Sequence, residues 1–274
     1  MFRLYEPFGA VPGITRFGRQ EHFCSPFALP EEFTSVYRLH AMMPDYIDLF
    51  DAATGRPMAA GQAQQLGFDL SATQNKLSTK EVLREKSHRA LRQGGIDNWV
   101  TTFGNHPCGQ LTAHNFPKFL SDLPGFTPPV GKKVNLAAMD LLRDRERGGA
   151  RFNDFREAIG LQRLTDFDDF VSKELQWEIA NRQTTDQMAK RTLTDEEVEA
   201  RKAVLQAQRD YVEKLKNVYA SVDDVDLQVG ILAEFVRPHG FVISETQFQI
   251  FILNASRRIF SDRFFNRSFN DEHY

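Results

Sequence analysis

Two side chains capable of redox and ligand chemistry stand three residues apart near the start of this sequence, at Tyr37 and His40. Pro30 suits a first helical position, residues 31–32 are acidic, and apolar residues follow at helical spacing as far as Pro44. This pattern predicts a short amphipathic helix, on which residues three apart have Cβ atoms about 5–6 Å apart. A phenol and an imidazole then share one pocket. A hydrogen-bonded tyrosine and histidine in an ordinary core fit the same spacing.

The charge of the chain argues against two classes of partner. There are 34 Lys and Arg against 37 Asp and Glu, a net charge of −3, with no dense basic block. The sequence therefore shows no basic patch that would attract nucleic acid or an anionic membrane surface. Residues 1–13 lack the pattern of a signal peptide, and no apolar run approaches the roughly 20 residues of a membrane helix. We expect a soluble body, cytoplasmic by default, with membrane association left open.

Common catalytic motifs are missing from the sequence. There is no GxSxG, HExxH or GxGxxG, and Cys24 and Cys108 have no CxxC spacing, so serine-hydrolase, zinc and dinucleotide chemistry have no anchor. The composition does carry one bias, 24 Phe against 6 Tyr and 2 Trp. These rings suit either a large apolar core or an interior that takes an apolar ligand.

Helical signals dominate the elements that must position these residues. Residues 1–30 are rich in Pro and Gly and are expected to form an irregular lead-in. No alternating strand pattern exceeds a few residues, so the fold class is mainly α, with few or no strands. Further helices are predicted from Ser78 to Gly94–Gly95, over Ile96–Phe103, from Asn135 to Gly148, over 152–159, from Thr194 to about 219, and from Ser244 to about 265.

Four ordered blocks resemble the peroxidase–cyclooxygenase superfamily, and most closely the fatty-acid α-dioxygenases. The first, EEFTSVYRLHAMMPD at 31–45, resembles the family's proximal haem motif. The others are NHPCGQL at 105–111, VNLAAMDLLRDRERGGARFNDFREAIGL at 134–161 and GFVISETQFQIFILNASRRIFSDRFFNRSFN at 240–270. The resemblance implies that 31–274 is the C-terminal part of a haem peroxidase-like helical domain, with a charged helical insertion near 162–225.

The resemblance gives Tyr37 and His40 specific roles. His40 would be the proximal ligand of a haem b iron, since an imidazole on a rigid element supplies one strong axial bond. Tyr37 would be the catalytic tyrosine. In that chemistry an oxidised haem takes an electron and a proton from the phenol, and the tyrosyl radical abstracts hydrogen from a fatty-acid carbon, to which dioxygen adds.

The third block implies two residues that support the haem. Asp140 stands where mammalian peroxidases place an asparagine that accepts a hydrogen bond from the ligating histidine, and a carboxylate there would lower the iron potential. Three residues on, Arg143 matches an arginine that faces a haem propionate. A solvated run of helix salt bridges is the expected role of Arg145 and Arg147.

The fourth block implies a substrate anchor at Arg258. This arginine follows Phe251 and Ala255 at helical spacing, so it shares a stripe with apolar residues. A fatty-acid carboxylate fits the guanidinium fork, and the second arginine of the Ser-Arg-Arg segment resembles the carboxylate anchor of α-dioxygenases. An internal ion pair with Asp262 is the alternative.

The family's distal haem half has no counterpart in the sequence. Only 36 residues precede Tyr37, and His22 among them lacks the distal context. We expect a fragment of a haem-dependent fatty-acid dioxygenase, with a separate distal-half polypeptide as a possible partner. The alternatives are a haem peroxidase acting on H2O2 and small reductants, and a non-catalytic helical scaffold.

Overall fold

The computed structural model describes residues 31–124, 133–185, 191–238, 241–262, 264 and 270–272. The predicted lead-in 1–30 lies outside these residues. Helices dominate the described chain, which confirms the predicted class. The α-helices are α1 (Glu31–Val36), α2 (Ala60–Gln65), α3 (Ser87–Gly94), α4 (Ile96–Asn105), α5 (Leu136–Glu146), α6 (Phe152–Ala158), α7 (Lys173–Asn181), α8 (Asp195–Lys216), α9 (Leu227–Ala233) and α10 (Glu245–Ser261).

Strands in the described part of the chain are two residues long and pair antiparallel. Their bounds are β1 (Tyr46–Ile47), β2 (Phe50–Asp51), β3 (Arg56–Pro57), β4 (Leu77–Ser78), β5 (Leu123–Pro124) and β6 (Lys133–Val134). β1 pairs with β4, β2 with β3 and β5 with β6. Such short ladders fasten loops and are not stable by themselves.

The chain divides into two compact units. The helical unit comprises Met1–Arg38 with Asp140–Tyr274, and the small unit comprises Leu39–Met139. The division falls between Tyr37 and His40.

The core of the helical unit forms where α6 packs against α9, which also contacts α1. Phe152 is completely buried, and its ring stacks on that of Phe170 with centroids 5.3 Å apart. Gly230 on α9 allows the Phe152 side chain to lie against the backbone of α9, because a Cβ at position 230 would lie 2.2 Å from Cγ of Phe152. A larger residue at position 230 would force the two helices apart.

The long charged helix α8 packs as one arm of a hairpin with α7. It begins at the predicted residue with a capping box: the Thr194 hydroxyl accepts from the Glu197 N–H at 3.2 Å, and the Glu197 carboxylate accepts from the Thr194 N–H at 2.9 Å. A hydrogen bond from Arg191 is the main reason that the pKa of Glu197 is lowered to about 2. The helix ends at Lys216, slightly before the predicted 219.

The small unit has its own core. Trp99 of α4 is 2% exposed, and its indole N–H donates to the Ala90 carbonyl at 2.8 Å. The other buried apolar residues of this core are Ile47, Leu49, Phe68, Leu77, Val82 and Ala90.

Two predicted helices are wrong in extent. The helix expected from Ser78 is interrupted, because Ser78 lies in β4 and Thr79 donates its hydroxyl to the Pro44 carbonyl at 2.6 Å. Two 3-10 turns, Thr79–Glu81 and Arg84–Lys86, precede α3. The last helix ends at Ser261 rather than near 265. The predicted starts of α4, α5, α6, α8 and α10 are confirmed.

Candidate functional site

Tyr37 lies immediately after α1, in the helical unit. Its N–H donates to the Phe33 carbonyl at 3.1 Å, and the Arg38 N–H donates to the Ser35 carbonyl at 3.4 Å, a tightening that closes the helix. The Tyr37 ring stacks on Phe33 with centroids 4.1 Å apart and lies 6.4 Å from the ring of Phe251 on α10. The half-buried phenol is therefore held by rings from α1 and α10.

His40 belongs to the 3-10 helix Leu39–Met42 of the small unit. Its ring lies 6.0 Å from that of Phe116, centroid to centroid. Nδ1 is buried and has no hydrogen-bond partner among the described residues. A buried polar atom left in this state costs roughly 1–3 kcal/mol. The imidazole is therefore suited to a partner that the described residues do not supply.

Gly109 of the NHPCGQL block and Asn115, four residues after that block, hold the turn that carries His40. The Gly109 N–H donates to the Met42 carbonyl at 3.0 Å, and the Asn115 amide donates to the Ala41 carbonyl at 2.9 Å. A Cβ at Gly109 would lie 2.5 Å from the Ala41 oxygen, so the close approach requires glycine. Gly109 and Asn115 therefore fix the backbone of the two residues that follow His40.

The prediction that Tyr37 and His40 share one helix face is wrong. α1 ends at Val36, and a break at residues 37–38 separates it from the 3-10 helix Leu39–Met42. Pro44 disfavours helical geometry at the preceding residue, so the remaining stretch forms only a short 3-10 turn. The chain itself still limits the separation, since three peptide units span at most about 11 Å between Cα atoms.

Asp140 forms a buried ion pair with Arg38. The Arg38 Nη1 donates to Asp140 Oδ1, and the two side chains are 10% and 5% exposed. Nε and Nη2 of Arg38 are buried and have no hydrogen-bond partner among the described residues. The sequence reasoning missed Arg38, although a charge between two candidate site residues in an apolar segment was a signal for it.

Arg143 lies at the surface of the helical unit. It is 44% exposed and donates to Glu31 at the start of α1, with Nη2 and Oε2 3.2 Å apart. Arg147 also pairs with Glu31, as expected for a solvated run of salt bridges. Ser35 donates to Asp144 at 2.6 Å and fastens the same two helices.

Arg145 differs from its neighbours because its partner is the buried carboxylate of Asp226. Its Nε and Nη2 donate to the two Asp226 oxygens at 2.9 and 2.5 Å, and Arg151 and the Tyr219 hydroxyl donate as well. Burial, the largest influence, raises the pKa of Asp226, but the hydrogen bonds from Arg145 and Tyr219 and the guanidinium charges outweigh it and lower the pKa. Burial and the contact with Asp226 raise the pKa of Tyr219 to about 12.

A second buried arginine, Arg156 on α6, has a complete set of acceptors. Its Nη1 donates to Glu234 and to the Thr246 hydroxyl, the latter at 2.8 Å, and its Nη2 donates to Glu245 at 3.0 Å. Its Nε donates to the Gln162 carbonyl at 2.9 Å. This cluster joins α6, α9 and α10. Glu234 was readable as a lone charge in the apolar run ILAEFV.

Arg258 lies on α10, but its side chain lies outside the described residues. Its backbone position is seven residues after Phe251, which corresponds to two turns, about 10.5 Å along the axis and nearly the same face. Phe251 is 44% exposed and is the α10 ring that lies near Tyr37. The helix that carries the predicted anchor is therefore also a neighbour of the tyrosine.

Metal binding by protein side chains alone is not supported in the part of the chain that the structure describes. No group of three or more His, Cys, Asp and Glu side chains there is arranged to hold a metal ion. An iron at His40 would need its other ligands from elsewhere, as a porphyrin provides. None of the described helices has the length and apolar character needed to cross a membrane.

Comparison with known sequences places these residues in context. Residues 20–274 match the profile of the family described as animal haem peroxidase. Alpha-dioxygenase PIOX from Oryza sativa subsp. japonica is 32% identical over 253 residues, which are 91% of this chain and 34% of that protein. Alpha-dioxygenase 2 from Arabidopsis thaliana is also 32% identical, over 91% of this chain and 33% of its own length. The chain thus spans about a third of the length of these relatives.

Solved structures agree with the sequence matches. The fatty acid alpha-dioxygenase of Oryza sativa superposes with a TM-score of 0.61 at 29% identity, covering 91% of this chain and 34% of that one. A variant of that enzyme, solved with palmitic acid, gives 0.62 at 30% identity over the same shares. Peroxidase A from Dictyostelium discoideum gives 0.54 at 19% identity, over 95% of this chain and 42% of its own, which is a likeness of fold.

Proposed function

Because the chain belongs to the animal haem peroxidase family, we propose that it forms the proximal part of a haem-dependent fatty-acid dioxygenase. The observation that carries this choice is the contact between Tyr37 and Phe251, since Phe251 lies on the helix that also carries Arg258. A phenol and an anion-binding arginine flanking one apolar stripe suit a substrate with a carboxylate head and an alkyl chain. A peroxidase that oxidises small reductants needs neither.

His40 and its surroundings fit a haem. The imidazole has a buried nitrogen without a described partner and a backbone clamped by Gly109 and Asn115. We propose that Nε2 of His40 ligates the iron and that Nδ1 donates to an acceptor, a role that the resemblance gives to Asp140. We also propose that Arg143, at the surface of the helical unit, faces a haem propionate.

Asp140 would act as a moderated acceptor. Its carboxylate already receives a hydrogen bond from Arg38, and the guanidinium charge offsets part of its own. A carboxylate paired in this way is a weaker proton acceptor toward an imidazole N–H than a free one, because the guanidinium stabilises its negative charge. The expected lowering of the iron potential by Asp140 is therefore smaller than the sequence alone suggests.

Tyr37 would carry the radical chemistry. A bound haem supplies the oxidising equivalent that removes an electron and a proton from the Tyr37 phenol. The Tyr37 radical then abstracts a hydrogen atom from a fatty-acid carbon, and O2 adds to the carbon radical. The peroxyl radical regains a hydrogen atom from the phenol, which yields a hydroperoxide and restores the tyrosyl radical. The stacked Phe33 and the nearby Phe251 would hold the phenol in place for both transfers.

The distal side of the haem would come from polypeptide outside these 274 residues, either in the same chain or as a separate partner. The relatives have about two thirds of their length beyond the segment that matches here. O2 and the fatty acid would be the small-molecule partners, and H2O2 would replace them in a peroxidase.

The test is fatty-acid oxygenation by a Tyr37→Phe variant in the haem-loaded protein with its distal half. The substitution removes only the phenolic O–H and keeps the ring packing. We expect normal haem content and an O2 uptake with palmitic acid reduced by at least about 100-fold, as large as the loss of a general acid or base causes. Tyr46→Phe in β1 is the matched control and should retain full uptake. Unchanged uptake in Tyr37→Phe, or oxidation of small reductants by H2O2 without fatty-acid oxygenation, would favour the peroxidase.

A further inference from the structure

Arg38 is a buried arginine, and two of its three guanidinium nitrogens have no acceptor among the described residues. Its side chain is 10% exposed, and Nη1 donates to Asp140. Nε and Nη2 are buried, and no described residue accepts from them. These two nitrogens lie along one side of the planar guanidinium, where their N–H bonds point in parallel.

Arg156 is the buried arginine with which Arg38 can be compared, because its contacts are to other residues of the fold. Its side chain is 5% exposed, and Nε, Nη1 and Nη2 each have an acceptor among Gln162, Glu234, Thr246 and Glu245. Buried guanidinium donors without acceptors are strongly disfavoured. The unused edge of Arg38 therefore indicates an acceptor that the described residues do not include.

The geometry of this edge selects the chemistry of its partner. Two parallel N–H donors match the two oxygens of a carboxylate, and this fork-to-fork arrangement is stronger than a single hydrogen bond. A neutral carbonyl would satisfy only one of the two donors. Asp140 balances one charge, as Glu234 does for Arg156, and Arg156 accommodates a second carboxylate from Glu245 in addition. One guanidinium bridging two carboxylates is thus an arrangement that this chain already contains.

We propose that the Nε and Nη2 edge of Arg38 is a binding site for the carboxylate of a bound ligand. The inference rests on the proposed function, in which both the haem and the fatty acid carry carboxylates. Arg38 stands one residue after Tyr37 and two before His40, so its Cα lies within about 7 Å of both Cα atoms. Arg143 is a weaker candidate for the same role, because it is 44% exposed and already pairs with Glu31.

Paired acid and ester ligands test the site. Dissociation constants of the full 274-residue chain would be measured for hemin and its dimethyl ester, and for palmitic acid and its methyl ester. Arg38→Lys is the informative variant, since it keeps the charge for Asp140 but lacks the planar fork. We expect it to weaken one of the two acids by at least 10-fold and its ester by less than 2-fold. Arg147→Lys, at an exposed arginine that pairs with Glu31, is the matched control and should leave all four constants within 2-fold.

The pattern of losses identifies the ligand. A selective loss for hemin assigns the edge to a propionate, and a selective loss for palmitic acid assigns it to the substrate. Equal losses for acid and ester, no loss for either, or no binding of either acid by the parent chain would overturn the proposal. If the parent binds palmitic acid through Arg38 but no hemin, the haem function fails for this chain while the carboxylate site stands. Arg38→Met with Asp140→Leu replaces the pair by apolar residues and repeats the test if Arg38→Lys misfolds.

Discussion

Arg38 and Arg156 are two buried arginines in one helical unit, and they differ in how completely the described chain satisfies them. Arg156 has acceptors at all three nitrogens, namely the Gln162 carbonyl, Glu234 directly after α9, and Glu245 and Thr246 of α10. Arg38 has Asp140 at one nitrogen and no described acceptor at the other two. The first arrangement is complete within the chain and stabilises the fold. The second is incomplete, and it stands between the two residues to which we assign chemistry.

Removing Arg156 should have the largest effect. Arg156→Met leaves Glu234, which is 1% exposed, as a buried carboxylate without its cation. We expect a loss of about 3–5 kcal/mol in the free energy of unfolding. Urea denaturation followed by far-UV dichroism measures it. A loss below about 1 kcal/mol would show that the complete cluster is dispensable and would remove the contrast with Arg38.

Removing Arg38 should cost less. Arg38→Met breaks the pair with Asp140, but it also removes two buried donors that have no acceptor among the described residues. The two effects oppose each other, so we expect a net loss of about 1–2 kcal/mol. The same denaturation experiment applies, with Arg156→Met as the reference. A loss as large as that of Arg156→Met would mean that the Arg38 edge is already satisfied without a ligand.

The ion pairs of Asp226 are less buried than those of Arg156 and Arg38. The Asp226 carboxylate is buried, but its partners Arg145 and Arg151 are about half exposed. The pKa of Asp226 is lower in the folded chain than in the unfolded chain. The stability that Asp226 contributes is therefore present above its pKa in the unfolded chain, and it is lost as the pH falls through its pKa in the folded chain. Asp226→Asn should therefore lower the melting temperature at pH 7 and flatten its fall below about pH 4. Melting curves from pH 7 to pH 2.5 test this, and an equally steep acid loss in the variant would exclude Asp226 as a cause.

Local sequence signals predicted the elements that have local causes. Thr194 with Glu197, Asn135 and Ser244 each cap a helix through contacts three residues away, and the structure has all three. The helix breaks at Tyr37 and at Ser78 were not predicted. Ser78 is extended because it pairs with Tyr46, a partner 32 positions distant that periodicity within one segment cannot reveal.

The site shows the same limit. Tyr37 and His40 were identifiable because a family motif surrounds them, and their spacing suggested a common helix that the structure does not contain. The pairing of Arg38 with Asp140 joins residues 102 positions apart, so only the folded chain shows it. The core of the small unit was also missed, because Ile47, Leu49 and Phe68 are scattered among polar and glycine residues. Burial decided these positions, and burial depends on the whole fold.

Hemin titration of the parent chain and of His40→Ala tests the central claim most directly. The claim is that His40 is the axial ligand of a haem, with the fold carried by other contacts. The parent should show a Soret band with saturable 1:1 binding. His40→Ala should lose that axial ligation. Its far-UV dichroism should stay unchanged, because His40 lies in a 3-10 helix of only four residues. His88→Ala on α3 is the control and should behave as the parent does. A parent chain that gives no Soret band, or an unaltered band in His40→Ala, would contradict the account.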